Sequence, residues 1–263
     1  MSSSNESFLK TIIVAVTLSL VCSVLVSASA VLLKPDQEAN KAADKERNVL
    51  IAAGLLKADE EPDADEIAAL TAQIEARVVH LDSGEYADDI DPATYDQRKA
   101  AKDPARNEVL DPEADPARIK TRAENATVYL VRENDRVKTV VLPIHGKGLF
   151  STLYGFLALD PYTGKVVGLK YYEQGETPGL GGEVENTGWL AKWEGKQALG
   201  PDGEPRLRLI KGGVNPDSPD YEYQIDALSG ASMTSRGVES MLTFWLGENG
   251  FGPYLDKFKQ ARG

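Results

Sequence analysis

The chain opens on its strongest pattern, residues 11–33, a stretch of 23 residues with no charged side chain. At about 1.5 Å per residue a helix of that length reaches about 35 Å, more than the roughly 30 Å of a bilayer's hydrocarbon core, so the run predicts one membrane-spanning helix. The competing reading is a cleaved signal peptide, since Ala28-Ser29-Ala30 has the small-x-small form of a cleavage site. The run is longer than a signal peptide's apolar core of about 7 to 15 residues and continues through Val31-Leu32-Leu33, which favours a retained anchor. Amphipathic patterning follows. Val49, Leu50, Ala53 and Leu56 share one helical face within residues 45–56, as do Ile67, Leu70, Ile74 and Val78 within 64–81, so two short packing helices are expected. From 83 to 117 the pairs Asp91-Pro92, Asp103-Pro104, Asp111-Pro112 and Asp115-Pro116 break any helix and predict an irregular surface loop.

Periodicity changes again near Asn125. Residues 127–131 and 137–142 are β-branched runs separated by Arg132-Glu133-Asn134-Asp135-Arg136, a hairpin signal. Residues 153–159 read as a strand, and Pro161-Tyr162-Thr163-Gly164 turns the chain into another at 166–172. Strands joined by short turns predict an antiparallel meander. Residues 183–193 are expected to form a helix with Trp189 and Trp193 on one face, and 206–210 and 221–225 two further strands. Val238, Met241, Leu242, Trp245 and Leu246 recur at helical spacing until Gly247 ends the helix. The fold class is therefore α+β: one transmembrane helix, then a soluble domain with a mainly antiparallel sheet flanked by helices. The expected boundaries are a short N-terminus over 1–10, the span over 11–33, a membrane-proximal helical and acidic region over 34–124, and a ligand-binding domain over 125–263.

Composition narrows the function. A net charge of −12 over 263 residues argues against nucleic acid as a partner. Cys22 is the only cysteine and lies inside the apolar run, which excludes an intrachain disulfide and a cysteine-based metal or iron–sulfur site. His80 and His145 fit no ligand spacing, so neither receives a metal or catalytic role.

Two stretches carry chemistry. Asp226-Ala227-Leu228-Ser229-Gly230-Ala231-Ser232-Met233-Thr234-Ser235 places the hydroxyls of Ser229, Ser232 and Thr234 just before the apolar helical run. The first N–H groups of a helix lack intrahelical partners and the dipole is positive there, so a phosphate held by one of these hydroxyls is stabilised. The plain alternative is that Ser232 or Thr234 only caps the helix. The second stretch, Gly175-Glu176-Thr177-Pro178-Gly179-Leu180-Gly181-Gly182, is too glycine-rich for helix or strand and lacks the Lys-Ser/Thr of a triphosphate cradle. It is either a flexible connector or a tight loop laid against a flat aromatic ring.

Asp-x-x-Ser-Gly-Ala-Ser-x-Thr resembles the recognition motif of flavin transferases, which join FMN through its phosphate to a threonine hydroxyl. With Glu-Thr-Pro-Gly-Leu-Gly, and with Arg47-Asn48-Val49-Leu50 and Ala52-Ala53-Gly54-Leu55 near the membrane, the chain resembles the C subunit of the sodium-translocating NADH:quinone oxidoreductases. The G subunit of the Rnf/Rsx electron-transport complexes shares the motif and is the nearest alternative. The fourth motif residue, usually Thr, is Ser232 here, which keeps a hydroxyl.

The resemblance implies FMN covalently attached at Thr234, with Asp226, Ser229, Gly230, Ala231, Ser232 and Thr234 read by a flavin transferase. It implies Glu176, Thr177, Leu180 and Gly181 as flavin contacts, with Leu228, Ser229, Gly230, Ser232 and Met233 completing the cofactor set. Lys211 reaches the flavin phosphate or is a surface lysine beside a turn. Arg236 is oddly placed for the dipole in a first helical turn unless a phosphate dianion sits beside it. The implied function is an electron-carrying subunit of a sodium-pumping NADH:quinone oxidoreductase, an enzyme only as part of the complex, with the other subunits, a transferase and membrane lipid as partners. A non-redox, membrane-anchored scaffold is the alternative from another class. Lys34, Lys41, Lys45 and Arg47 follow the span and only Lys10 precedes it, so charge alone would leave the domain in the cytoplasm. Large domains translocate largely regardless of flanking charge, and the resemblance implies an inner-membrane protein with a periplasmic domain.

The anchor reading has a direct test. N-terminal sequencing of protein extracted from membranes is expected to start at Met1, whereas a start at Val31 would mean cleavage after Ala30.

Overall fold

The computed structural model describes residues 3–134 and 136–260; the first two and last three residues, and Asp135 of the hairpin turn, lie outside them. Helix α1 runs over Ser3–Ala52 with Pro35 inside it, so the span and the first amphipathic helix, expected as separate elements, belong to one helix. Its most apolar 18-residue window has a mean hydropathy of 2.4 and no buried residue, and the helix is long and apolar enough to cross a membrane. The chain divides into two units, Met1–Glu46 and Arg47–Gly263.

The second unit is built on a five-stranded antiparallel sheet in the order β1-β4-β5-β6-β7. After α2 (Ala64–Thr71) come β1 (Ile74–His80), α3 (Gln97–Ala100) and the small β2–β3 pair (Asn107–Val109, Thr121–Ala123). β4 (Asn125–Glu133), β5 (Arg136–Lys147), β6 (Thr152–Leu159) and β7 (Val166–Glu173) then form the meander that the β-branched runs predict. The second half of the expected helix over 64–81 is instead β1. Asp63 and Glu66 close a reciprocal capping box at the start of α2, but beyond Thr71 the backbone pairs with β4, Ile74 opposite Val131 through His80 opposite Asn125. Ile74 and Val78 fit either period, and the cross-strand partner decides.

Residues 83–117 are mostly turns, with α3 and β2 as short regular pieces. They are not wholly superficial: Asp115 is buried and its carboxylate accepts from the N–H groups of Ile119 (3.0 Å) and Lys120 (2.7 Å). The helix expected over 183–193 is broken. A 3₁₀ turn, Gly181–Glu185, precedes α4 (Thr187–Leu190), and Asn186 caps α4 by accepting from the Trp189 N–H at 3.1 Å. Trp189 and Trp193 still meet edge to face, 5.2 Å between ring centres. The final strands are shorter than expected and run parallel: β8 (Arg208–Ile210) pairs with β9 (Gln224–Asp226), which a 3₁₀ turn, Tyr221–Tyr223, precedes. Helices α5 (Ser232–Leu246) and α6 (Gly252–Gln260) complete the domain.

Pleat alternation sorts the sheet's side chains to two sides. Val140, Leu142 and Ile144 of β5 join Val238, Met241, Leu242 and Trp245 of α5 in the main core. Val141, Phe156 and Ala158 face the opposite way and cover Val49, Ala52 and Ala53 from the end of α1. Helix α5 lies unusually close to β5. A Cβ on Gly237 would collide with the Lys147 carbonyl and stand 3.1 Å from the Gly148 Cα, and one on Gly146 would stand 2.8 Å from the Met241 Cβ. The Trp245 indole N–H donates to the His145 carbonyl at 2.6 Å, fixing the far end of the helix on the same strand.

Close approach predicts the sign of a substitution. Gly237→Ala gains about 1 kcal/mol of helix propensity, but a methyl driven into strand backbone costs about 1 to 3 kcal/mol, and the backbone here has no flexible side chain to yield. A net loss of stability is expected, read as a lower thermal midpoint of the full chain in detergent.

Candidate functional site

The two chemistry-bearing stretches meet. Strand β9 delivers the chain to Asp226, and a turn through Leu228, Ser229 and Gly230 (φ 72°) leads into α5. The residue at the helix N-cap position is Ala231, whose side chain has nothing to donate or accept, and no side chain caps the helix. Capping by Ser232 or Thr234 is thereby set aside: Ser232 stands exposed in the first turn, and Thr234 turns inward, 1% exposed. The Thr234 hydroxyl donates to Glu176 Oε2 at 2.7 Å.

Glu176 joins three pieces of chain. Its Oε1 accepts from the N–H groups of Phe150 (2.9 Å) and Ser151 (2.9 Å) and from the Ser151 hydroxyl (3.1 Å), while Oε2 also accepts from the Leu149 N–H at 3.1 Å. The residue is 5% exposed. Burial pushes its pKa up, but hydrogen bonds from Thr234 and from the Ser151, Phe150 and Leu149 N–H groups outweigh this and bring it down to about 2. The crowding explains two glycines: a Cβ on Gly181 would stand 2.6 Å from the Thr234 hydroxyl oxygen and 2.8 Å from Glu176 Oε2, and one on Gly148 would stand 2.7 Å from Glu176 Oε1.

The remaining predicted residues fall around this centre. The Thr177 carbonyl accepts from the N–H groups of Leu180 (3.1 Å) and Gly182 (3.0 Å), closing the loop on itself. A Cβ on Gly230 would stand 2.9 Å from Leu180 Cδ2, so the loop lies against the motif. Leu228 is a core residue, 5% exposed. Its N–H donates to the Ser235 hydroxyl (3.0 Å), which donates to the Ala231 carbonyl (3.1 Å), so Ser235 stitches the motif turn to the helix. Asp226 points away from Thr234. Its carboxylate accepts from the Lys192 ammonium (2.6 Å) and the Val214 N–H (2.7 Å), and its carbonyl from the Trp189 indole (2.8 Å). The motif's acidic residue therefore holds α4 and the 211–214 turn in place, and its pKa lies below the ordinary value because of Lys192 first and Val214 second. Lys211 is exposed in the turn after β8, next to Ile210, whose carbonyl accepts from the Ala227 N–H at 3.0 Å. Arg236 is exposed on the first turn of α5.

Sequence reasoning missed the 149–151 turn and Ser235. The available signal for the turn is the pair Gly146 and Gly148, which the structure assigns to close packing against Met241 and Glu176. The rim of the site is apolar and open: Leu149, Phe150, Leu180 and Met233 are 44%, 65%, 43% and 45% exposed. Loss of water from such side chains is favourable, so the surface suits a flat, partly apolar ring. The uncapped helix start suits its anionic end.

The FMN-binding domain family matches residues 148–247, a range that contains both loops, the whole motif and α5. The C subunit of the Na(+)-translocating NADH-quinone reductase of Vibrio alginolyticus is 44% identical over 262 residues, 99% of this chain and 99% of that one. The corresponding C subunit of Pseudomonas aeruginosa is 45% identical over 257 residues, 97% of this chain and 98% of its own. The crystal structure of NqrC from Shewanella oneidensis superposes with a TM-score of 0.76 at 35% identity, over 84% of this chain and 99% of that one.

The depressed acidity of Glu176 has a signature in acid. A carboxyl that titrates at about 2 in the fold and at the ordinary 4.5 when unfolded stabilises the native state above pH 4.5 and loses that contribution as pH falls toward 2. The contribution is about 3 kcal/mol. Glu176→Gln is expected to be less stable at pH 7 and to lack this part of the slope between pH 4.5 and 2 in denaturant titrations.

Proposed function

The chain belongs to the family of C subunits of Na+-translocating NADH-quinone reductases, and we propose that it carries electrons in such a complex through FMN joined by a phosphoester to Thr234. The observation that carries this reading is the Thr234 hydroxyl itself, at the first turn of a helix that no side chain caps and beside the glycine-rich loop. FMN supplies acceptance and release of electrons; everything else is supplied by the chain. Gly148 and Gly181 let the 149–151 turn and the glycine-rich loop close on Glu176 and Thr234, and Leu149, Phe150, Leu180 and Met233 offer apolar surface to the ring. The free N–H groups of the first turn of α5, with Lys211 and Arg236 as exposed cations, suit the phosphate. Ser229, Gly230 and Ser232 are exposed and available to a modifying transferase.

Residues 11–33 then cross the inner membrane once, and the unit that follows bears the flavin on the periplasmic side. The other subunits of the reductase and the surrounding lipid are its partners. The Rnf-type G subunit shares the motif, but likeness to C subunits over 99% of the chain, membrane-proximal segment included, favours the reductase.

Thr234→Ala is expected to abolish covalent flavin and leave the fold. Losing one hydrogen bond to a charged group costs about 1.5 to 3 kcal/mol against a domain stability of about 5 to 15, and Glu176 keeps its N–H donors. Ser232→Ala and Asp226→Ala are expected to reduce attachment while leaving any flavin on Thr234. Unstained denaturing gels under ultraviolet light read the covalent flavin, and peptide mass mapping places it. Flavin on Ser232, or surviving in Thr234→Ala, overturns the assignment.

A further inference from the structure

The acceptor is shut in. Thr234 is 1% exposed, its hydroxyl oxygen faces the Glu176 carboxylate at 2.7 Å, and the Gly181 backbone lies so close that a single added carbon there would stand 2.6 Å from it. No phosphate fits on that oxygen while residues 176–181 stay where they are. Glu176 itself is anchored by the Leu149, Phe150 and Ser151 N–H groups and the Ser151 hydroxyl, but beyond it the exposed part of the loop meets the motif only through Leu180 resting on Gly230 and the Gly181 backbone beside Thr234. The loop is otherwise its own small turn, closed by two bonds to the Thr177 carbonyl, with Gly179 at φ 74° and with Thr177, Pro178, Gly179 and Leu180 exposed.

We propose that residues 177–182 are a lid over Thr234, hinged at the anchored Glu176 and closed only while the Thr234 hydroxyl is turned onto the Glu176 carboxylate, and that FMN attachment takes place on the opened form and keeps it open. The proposal rests on Thr234 as acceptor. In the transfer the Thr234 Oγ–P bond forms as the phosphoanhydride of a flavin dinucleotide breaks, the nucleoside monophosphate leaves and the hydroxyl proton passes to water. The proton lost is the one that Thr234 donates to Glu176, so the modified side chain has nothing left to give the carboxylate. The phosphodiester monoanion in its place repels Glu176 as well. Maturation thus consumes the group that keeps the site covered. The exposed Leu180, carried by the lid, becomes free to settle against the incoming ring.

The test uses the full chain in detergent, with hydrogen exchange of residues 177–182 and the initial rate of covalent flavin transfer by a flavin transferase as readouts. Thr234→Val keeps the shape, removes the donor and takes no flavin; exchange in the lid is expected to quicken at least tenfold while the β5 and β6 amides stay as in the unmodified chain. Leu180→Ala loosens the lid by removing the contact with Gly230 and is expected to speed transfer to Thr234 at least threefold. Unchanged exchange in Thr234→Val, or transfer no faster in Leu180→Ala, overturns the lid. Covalent flavin on Thr234→Val overturns the acceptor itself, a result distinct from either.

Discussion

The structure turns on a buried carboxylate that gathers donors from separate stretches of chain. Glu176 takes three consecutive backbone N–H groups and a hydroxyl from the turn after β5, and a second hydroxyl from α5. A buried charge costs several kcal/mol unless it is hydrogen-bonded, so this residue binds its neighbours by needing them. Removing any one donor leaves the others in place, so the loss of the Thr234 hydrogen bond leaves Glu176 anchored to the turn after β5.

The frame around it has a division of labour. The main core between the sheet and α5 fixes the helix, and Asp226 fixes the segment that leads into it by holding Lys192, Val214 and Trp189. Ser235 then ties the turn to the helix from within. The motif's polar residues are thus of two kinds. Ser229 and Ser232, like Arg236 just beyond the motif, are exposed, whereas Asp226, Thr234 and Ser235 are engaged by the protein. A modifying transferase of the kind proposed would meet the first kind directly and the second only through the shape they maintain.

Much of this is legible in the sequence, and the limits have physical reasons. The strands β4 to β7 announce themselves because their signals are local: β-branched runs, alternation and turn residues. β1 reads as helix because Ile74 and Val78 satisfy a helical period as well as a strand's, and the partner that decides lies about fifty residues downstream in β4. The break at Asn186 is a local capping event inside a segment whose tryptophans nevertheless meet as expected. At the site, the two loops are recognisable as words. Their junction is not, because Thr234 and Glu176 are 58 residues apart and no pattern within either word says that one donates to the other. The resemblance to the C subunits of the reductases identifies the family; only the three-dimensional arrangement reveals that the Thr234 hydroxyl is engaged by Glu176.

The near contact between α5 and β5 has a consequence for electron flow. With Gly146 and Gly237 allowing helix and strand to touch, and Trp245 pinned to His145, the mount beneath Thr234 has little room to relax. Polar groups fixed in advance need not reorient when charge arrives, which lowers the nuclear rearrangement that accompanies each electron. A cofactor tethered at Thr234 would therefore gain its reach from rotation about the bonds of the tether, or from movement of the whole domain, and not from bending of the surface that bears it.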